Sequence, residues 1–269
     1  GATPLFDNII EQKALDQNVF SFYFSLNDDA ANAVFWGGVD HRFFEGEREW
    51  FQVTEAHYWE LDLFLVLIGD EPILREADVA PEVGHRIPKA IIDTGTTFFT
   101  AQGEVWKVVA ARLKRTRCDS MTSASHPDLT FRLRNMQGRD RDFVFTAEQY
   151  MVDDGNGTCN MGFMHVSIPE EHGPAMIFGE LFLRYVFTTF DRGDGAPENA
   201  RVGFATAKQG SEVVQALQEL TRGPEATSAR AGSRPGVAHA AEKRAERTAE
   251  RTVEAASPAA WVASDEAGA

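Results

Sequence analysis

Alternating and continuous apolar runs mark most of the regular elements along the chain. Phe20-Ser21-Phe22-Tyr23-Phe24-Ser25-Leu26 alternates closely enough for a strand with one buried face, and Asn27-Asp28-Asp29 supplies a turn after it. Ala33-Val34-Phe35-Trp36 predicts a second strand, stopped at Gly37-Gly38 where two glycines permit a sharp bend. Trp50-Phe51 and Val53, after Gly46, predict a third. The run from Tyr58 to Gly69 opens in alternation and becomes continuously apolar, which reads as a long strand entering the core and closing at Gly69-Asp70. A polar loop carrying Pro72, Pro81 and Pro88 follows. The short apolar run Ala90-Ile91-Ile92 then predicts a buried strand that ends in the turn Asp93-Thr94-Gly95.

Helical spacing is rarer. Asp7 to Gln12 predicts one helical turn. Gln102 to Arg115 places Val105, Val108, Val109 and Leu113 on a rough helical stripe, with Lys114 and Arg115 at the end where the helix dipole favours cations. Short strands are expected over 129–133, 143–145, 150–152 and 163–166, and the body closes with apolar runs at 175–180, 182–191 and 202–205. Ser211 to Arg222 has an amphipathic helical pattern through Val213, Val214, Leu217 and Leu220. Beyond Gly223 the chain is rich in Ala, Glu, Arg, Ser and Pro, with Trp261 its only aromatic. So little apolar area cannot offset the entropy of ordering. Residues 1–207 are therefore expected to form the folded body and residues 208–269 a mostly disordered tail. Many short strands with few helices make the body mainly β.

Composition sharpens this picture in three respects. First, 269 residues with 43% hydrophobic content support one or two domains with real cores. No apolar run approaches the ~20 residues of a membrane span. Without an initiator Met or a basic-then-apolar leader, a signal peptide is expected to be absent or already removed. Second, the formal charge is −15, and the eight basic and nine acidic residues from Lys208 onward nearly cancel, so the body carries almost all of it. Such a body repels nucleic acid and anionic membrane surfaces and excludes both as primary partners. Third, the two cysteines, Cys118 and Cys159, form no Cys-x-x-Cys, and no His-Glu-x-x-His occurs, which argues against a zinc site. No cofactor motif is present either. Asn156-Gly157-Thr158 is a glycosylation sequon, meaningful if the chain is secreted.

The candidate chemistry centres on Asp93. A carboxylate delivered to the end of a buried strand, among the hydroxyls of Thr94, Thr96 and Thr97 and the backbone of Gly95, is built as a reactive acid rather than a surface one. The same tripeptide also fits an ordinary strand-ending turn, where Asp, Thr and Gly are all common. Context decides between them. Ala90-Ile91-Ile92-Asp93-Thr94-Gly95-Thr96-Thr97 closely resembles the second active-site motif of pepsin-like aspartic proteases. Pro4-Leu5-Phe6-Asp7-Asn8 looks like the segment opening the C-terminal lobe of that family, and Phe35-Trp36-Gly37-Gly38-Val39-Asp40 resembles its Phe-Gly-Gly-Ile-Asp strand. Ile177-Phe178-Gly179-Glu180-Leu181-Phe182-Leu183-Arg184 is similar to its Ile-Leu-Gly-Asp-x-Phe-Leu-Arg, with Glu180 in place of the usual Asp.

The resemblance implies a fold and a set of roles. The fold is a single lobe of the bilobal double-psi β-barrel acid-protease architecture, mainly β with a few short helices. Asp93 would be one of two catalytic carboxylates of an aspartic endopeptidase, supported by Thr94, Gly95 and Thr96. Thr97, Tyr58 and Ile177 would meet substrate. Cys118 and Cys159 would pair as the disulfide of the lobe, placing the protein in the secretory pathway, an endosomal or vacuolar lumen, or outside the cell. Two carboxylates sharing one proton activate water and protonate the carbonyl oxygen. No second Asp-Thr-Gly or Asp-Ser-Gly occurs in the sequence. The chain is therefore expected to be a fragment of a two-lobed enzyme, inactive alone, whose partner is an N-terminal lobe bearing the other Asp and the flap. The alternatives are a homodimer pairing two copies of Asp93 and a non-enzymatic peptide- or protein-binding remnant.

Overall fold

Three sheets account for the strands in the computed structural model, which describes residues 5–27, 29–54, 58–75, 87–168 and 175–222. The strands, in chain order, are β1 (Val19–Tyr23), β2 (Ala33–Trp36), β3 (Phe44–Gln52), β4 (Glu60–Ile68), β5 (Glu71–Arg75), β6 (Lys89–Ile92), β7 (Phe99–Ala101) and β8 (Thr116–Arg117). They continue as β9 (Leu129–Arg134), β10 (Asp140–Phe145), β11 (Met151–Asp153), β12 (Thr158–Met161), β13 (Phe163–His165), β14 (Ala175–Phe178), β15 (Val186–Asp191) and β16 (Arg201–Ala207). The helices among these residues are α1 (Leu5–Glu11), α2 (Gly103–Arg112), α3 (Ala147–Tyr150), α4 (Glu180–Leu183) and α5 (Ser211–Arg222). The mainly β architecture read from the sequence is the one observed. No described helix is long and apolar enough to cross a membrane.

One sheet runs β2-β1-β15-β16-β3, antiparallel throughout. Alternate residues feed different cores. Phe51, Phe190, Val202 and Phe204 face the larger core, while Tyr23, Phe44, Phe187 and Ala205 face a second cluster closed by Val213, Ala216 and Leu217 of α5. A strand covered on both faces is buried along its whole length, and all six residues of β15 are. Its two threonines are satisfied inside: Thr188 Oγ1 donates to the Val186 carbonyl, and Thr189 Oγ1 accepts from Ser21 Oγ at 3.0 Å.

The second sheet runs β10-β9-β4-β6-β14-β7-β13, with β5 on β4. It holds the larger core, where Phe99, Phe131, Phe145, Phe178 and Phe182 pack at ring-centroid distances of 4.7 to 6.5 Å. The third, β11-β12-β8, is small and is tied by the Cys118–Cys159 disulfide.

Several expectations are adjusted. The residues after Gly69 begin not as a loop but as β5, which pairs back on β4; the rest of that predicted loop up to Arg86 lies outside the described residues. The run 182–191 splits into α4 and β15, and Tyr150 ends α3, capped by a reciprocal Thr146–Gln149 box, rather than starting a strand. β1 ends at Tyr23, and Asp28 of the predicted turn is outside the described residues. The helix predicted over Ser211–Arg222 forms, and the tail beyond it lies outside the described residues.

Candidate active site

Strand β6 carries Lys-Ala-Ile-Ile, and Ala90, Ile91 and Ile92 are buried. It sits between two partners. On one side β4 pairs antiparallel, Glu60 opposite Ile91 and Leu61 opposite Ala90, with Lys89 Nζ on Asp62 Oδ1 at 2.7 Å at its outer end. On the other side β14 pairs parallel, Ile177 opposite Ile91 and Phe178 opposite Ile92. The ladder continues one step further, where Asp93 N donates to the Phe178 carbonyl at 3.1 Å. The chain then leaves β6, crosses the end of β14, and returns on its far side as β7, where Phe99 opposes Phe178. The loop 93–98 is therefore a bridge over β14, anchored at both feet.

Residues of β14 and α4 hold the bridge from below. Glu180 N and Leu181 N donate to the Thr96 and Thr97 carbonyls at 2.7 and 2.9 Å. Thr100, 1% exposed, accepts from Ile177 N on its hydroxyl at 2.8 Å. Gly179 lies directly under the bridge: a Cβ there would come 2.3 Å from the Thr96 carbonyl oxygen and 2.6 Å from that of Phe98. Both obstacles are backbone, so no side chain fits unless the loop moves.

The bridge fixes the carboxylate. Gly95 N donates to Asp93 Oδ1 at 2.9 Å, and Thr96 Oγ1 donates to Asp93 Oδ2 at 2.6 Å. Each oxygen thus has one donor from its own loop, and the half-buried carboxylate keeps an open side. Short, charge-assisted bonds of this kind set orientation. Arrayed this way, Asp93 can accept or give a proton to a group approaching from the open side.

The predicted residues divide by position. Asp93, Gly95 and Thr96 are in direct contact, and Thr94 (half-buried) and Thr97 (exposed) share their loop. Ile177 is half-buried and registers with Ile91. Tyr58 is 45% exposed; its neighbour Trp59 accepts from Ile92 N at 2.9 Å, which brings Tyr58 to the Asp93 end of β6. Cys118 and Cys159 are bonded. Asn156 sits apart, on the exposed connection between β11 and β12. Glu180 opens α4 and pairs with Arg184 at 2.9 Å. The supporting roles of Thr100, Trp59 and the steric role of Gly179 were not anticipated. Gly179 had a signal, a glycine closing an apolar strand, but its obstacle comes from residues far earlier in the chain.

The eukaryotic aspartyl protease family matches residues 1–207, and the chain belongs to that family. It is similar to aspartic protease 3 of Toxoplasma gondii, 34% identical over 212 residues that cover 77% of this chain and 31% of the relative. Similarity extends to cathepsin D of Chionodraco hamatus, 30% identical with 77% and 51% covered, and to pepsin A of Sus scrofa, 28% identical with 76% and 50% covered. The chain spans about half, or less, of the length of these curated relatives.

Proposed function

We propose that this chain supplies one of the two catalytic carboxylates of an aspartic endopeptidase, and that Asp93 is that carboxylate. The observation that carries the reading is the grip on Asp93 by Gly95 N and Thr96 Oγ1 at the first foot of a bridge anchored on β14. A second carboxylate, from a complementary lobe, would face its open side. Two such groups within a few ångströms cannot both ionise, so they share a proton; one takes a proton from water as it attacks the peptide carbonyl, and the other donates to the carbonyl oxygen. The shared proton belongs to the pair. Thr94 would join the facing lobe, and Thr97, Tyr58 and Ile177 would contact the peptide. Residues 1–207 would form the catalytic lobe, closed on one face by α5, with the chain beyond α5 an appended tail. The Cys118–Cys159 bond supports a secretory, endosomal, vacuolar or extracellular setting.

The test is peptidase activity at acid pH on a denatured protein substrate, measured for the chain alone and for the native polypeptide containing both lobes. The two-lobed form is expected to cleave, to be blocked by pepstatin, and to lose roughly 10²–10⁴-fold in kcat on Asp93→Ala. The isolated chain is expected to be inactive. Full activity of Asp93→Ala overturns the assignment, and Asp93-dependent cleavage by the isolated chain overturns the need for a second lobe.

A further inference from the structure

We propose that Asn156 carries an N-linked oligosaccharide. The triplet Asn156-Gly157-Thr158 provides the acceptor amide and the hydroxyl two residues on, with no proline between. Its placement in the fold suits modification. β11 and β12 pair antiparallel with Asp153 opposite Cys159, and residues 153–157 between them are exposed. The backbone of this connection is occupied. Asp153 Oδ1 accepts from the Gly155 and Gly157 amides at 2.9 and 3.1 Å, and Asp154 Oδ1 from the Asn156 and Thr158 amides at 2.9 and 3.4 Å. Gly155 and Gly157, on either side of Asn156, take φ of 82° and 75°, the left-handed region that glycine enters without strain. No described residue hydrogen-bonds the side chains of Asn156 or Thr158, so a sugar there displaces solvent and no packed group.

The next residue links this turn to compartment. Cys159 is 4% exposed and bonded to Cys118. Disulfides form in the oxidising lumen, where oligosaccharides are also transferred to asparagine; the inference rests on the lumenal setting proposed above. In the transfer, Asn156 Nδ2 forms a bond to the anomeric carbon of a lipid-diphosphate-linked oligosaccharide. The bond from that carbon to the diphosphate oxygen breaks, the lipid diphosphate leaves with the electron pair, and the amide proton passes to a base of the transferring enzyme.

The test is peptide mass spectrometry of the native protein isolated from the cells that make it. Release by peptide-N-glycosidase in heavy-oxygen water is expected to convert Asn156 to an isotopically labelled Asp, a label that spontaneous deamidation at Asn-Gly before treatment does not give. In a eukaryotic secretory host the chain is expected to show one glycan step in mobility. That step should vanish completely in Asn156→Gln and in Thr158→Ala and persist in Thr158→Ser. All these positions lie on the exposed connection or at its edge, so folding is not at stake. A bare Asn156 in native protein whose Cys118–Cys159 bond is formed overturns the glycan and leaves the lumenal setting standing. A bare Asn156 with both thiols reduced overturns both.

Discussion

Thr96 holds the Asp93 carboxylate from within the same loop. Its Oγ1 lies 2.6 Å from Asp93 Oδ2, and its carbonyl anchors Glu180 N, so one residue both orients the carboxylate and fastens the bridge beneath it. Thr96→Val keeps the shape and the backbone anchor while removing the donor. A hydrogen bond to a charged group contributes about 1.5–3 kcal/mol, which at about 1.4 kcal/mol per tenfold corresponds to a loss of ten- to a hundredfold in kcat. KM should change little, because the lost bond acts on the carboxylate and not on the peptide. Thr96→Ser restores the donor and should recover most of the rate. Steady-state kinetics of the two-lobed enzyme checks this; a Val variant as fast as wild type removes Thr96 from the positioning role. The hydroxyl-crowded turn was legible in the sequence because all its parts are consecutive. Gly179 was not legible in the same way, since its need for a missing side chain depends on the Thr96 and Phe98 carbonyls that folding brings above it.

At the scale of elements, the strands that the sequence marked well are those with long apolar or alternating runs, such as β2, β4 and β9. Those it missed are short or polar. β7 has three residues, β8 has two, and β12 reads Thr-Cys-Asn-Met; each exists because a neighbour offers hydrogen bonds, and not through its own pattern. The parallel pairing of β14 with β6, which makes the bridge possible, is long-range and leaves no local trace. Helix α5 is the opposite case. Its helical pattern was plain, but of the stripe Val213, Val214, Leu217 and Leu220 only Val213 and Leu217 are buried; Ala216 joins them against Phe43, Phe44 and Phe187, Val214 is half-buried and Leu220 is exposed. Gln209, just before it, donates to the Phe24 and Arg184 carbonyls, and Arg42 pairs with Glu219 at 2.9 Å. Leu217, 3% exposed, is the deepest leucine of the stripe. Leu217→Ala should cost about 2–5 kcal/mol of unfolding free energy and raise amide exchange through α5. Glu219→Gln breaks an exposed pair and should change stability by less than about 0.5 kcal/mol. Urea denaturation with hydrogen exchange decides; if Leu217→Ala leaves both unchanged, α5 is not part of the cooperative body.

At the scale of the whole molecule, acid pulls the protein in two directions. The charge of −15 at neutral pH repels itself, and partial protonation relieves that repulsion. Against this, several carboxylates are held below the ordinary range. The Arg42 guanidinium does so for Asp40 and the Arg132 guanidinium for Asp142, while hydrogen bonds from Asn199 act on Asp194. A carboxylate whose folded value lies below its unfolded value stabilises the fold fully above the unfolded value, about 3.9 for Asp. That contribution is lost as pH falls through the lower folded value. Stability should therefore hold or rise slightly from about pH 7 to about pH 5 and fall below about pH 4. Asp40→Asn separates the two effects, since the amide can still cap the 3-10 turn at His41–Phe43 as the Asp40 side chain does. The variant should be less stable by about 0.5 kcal/mol near pH 6, with the gap closing toward pH 2, because both partners are partly solvated. Urea midpoints of both proteins across this range check it; a gap that stays constant with pH assigns the effect to lost packing and not to charge. The proposed dyad needs one proton between two carboxylates and so gains from acid, while these pairs lose by it. The working range of the proposed enzyme should accordingly end on its acid side where the arginine-paired aspartates protonate and the body begins to unfold.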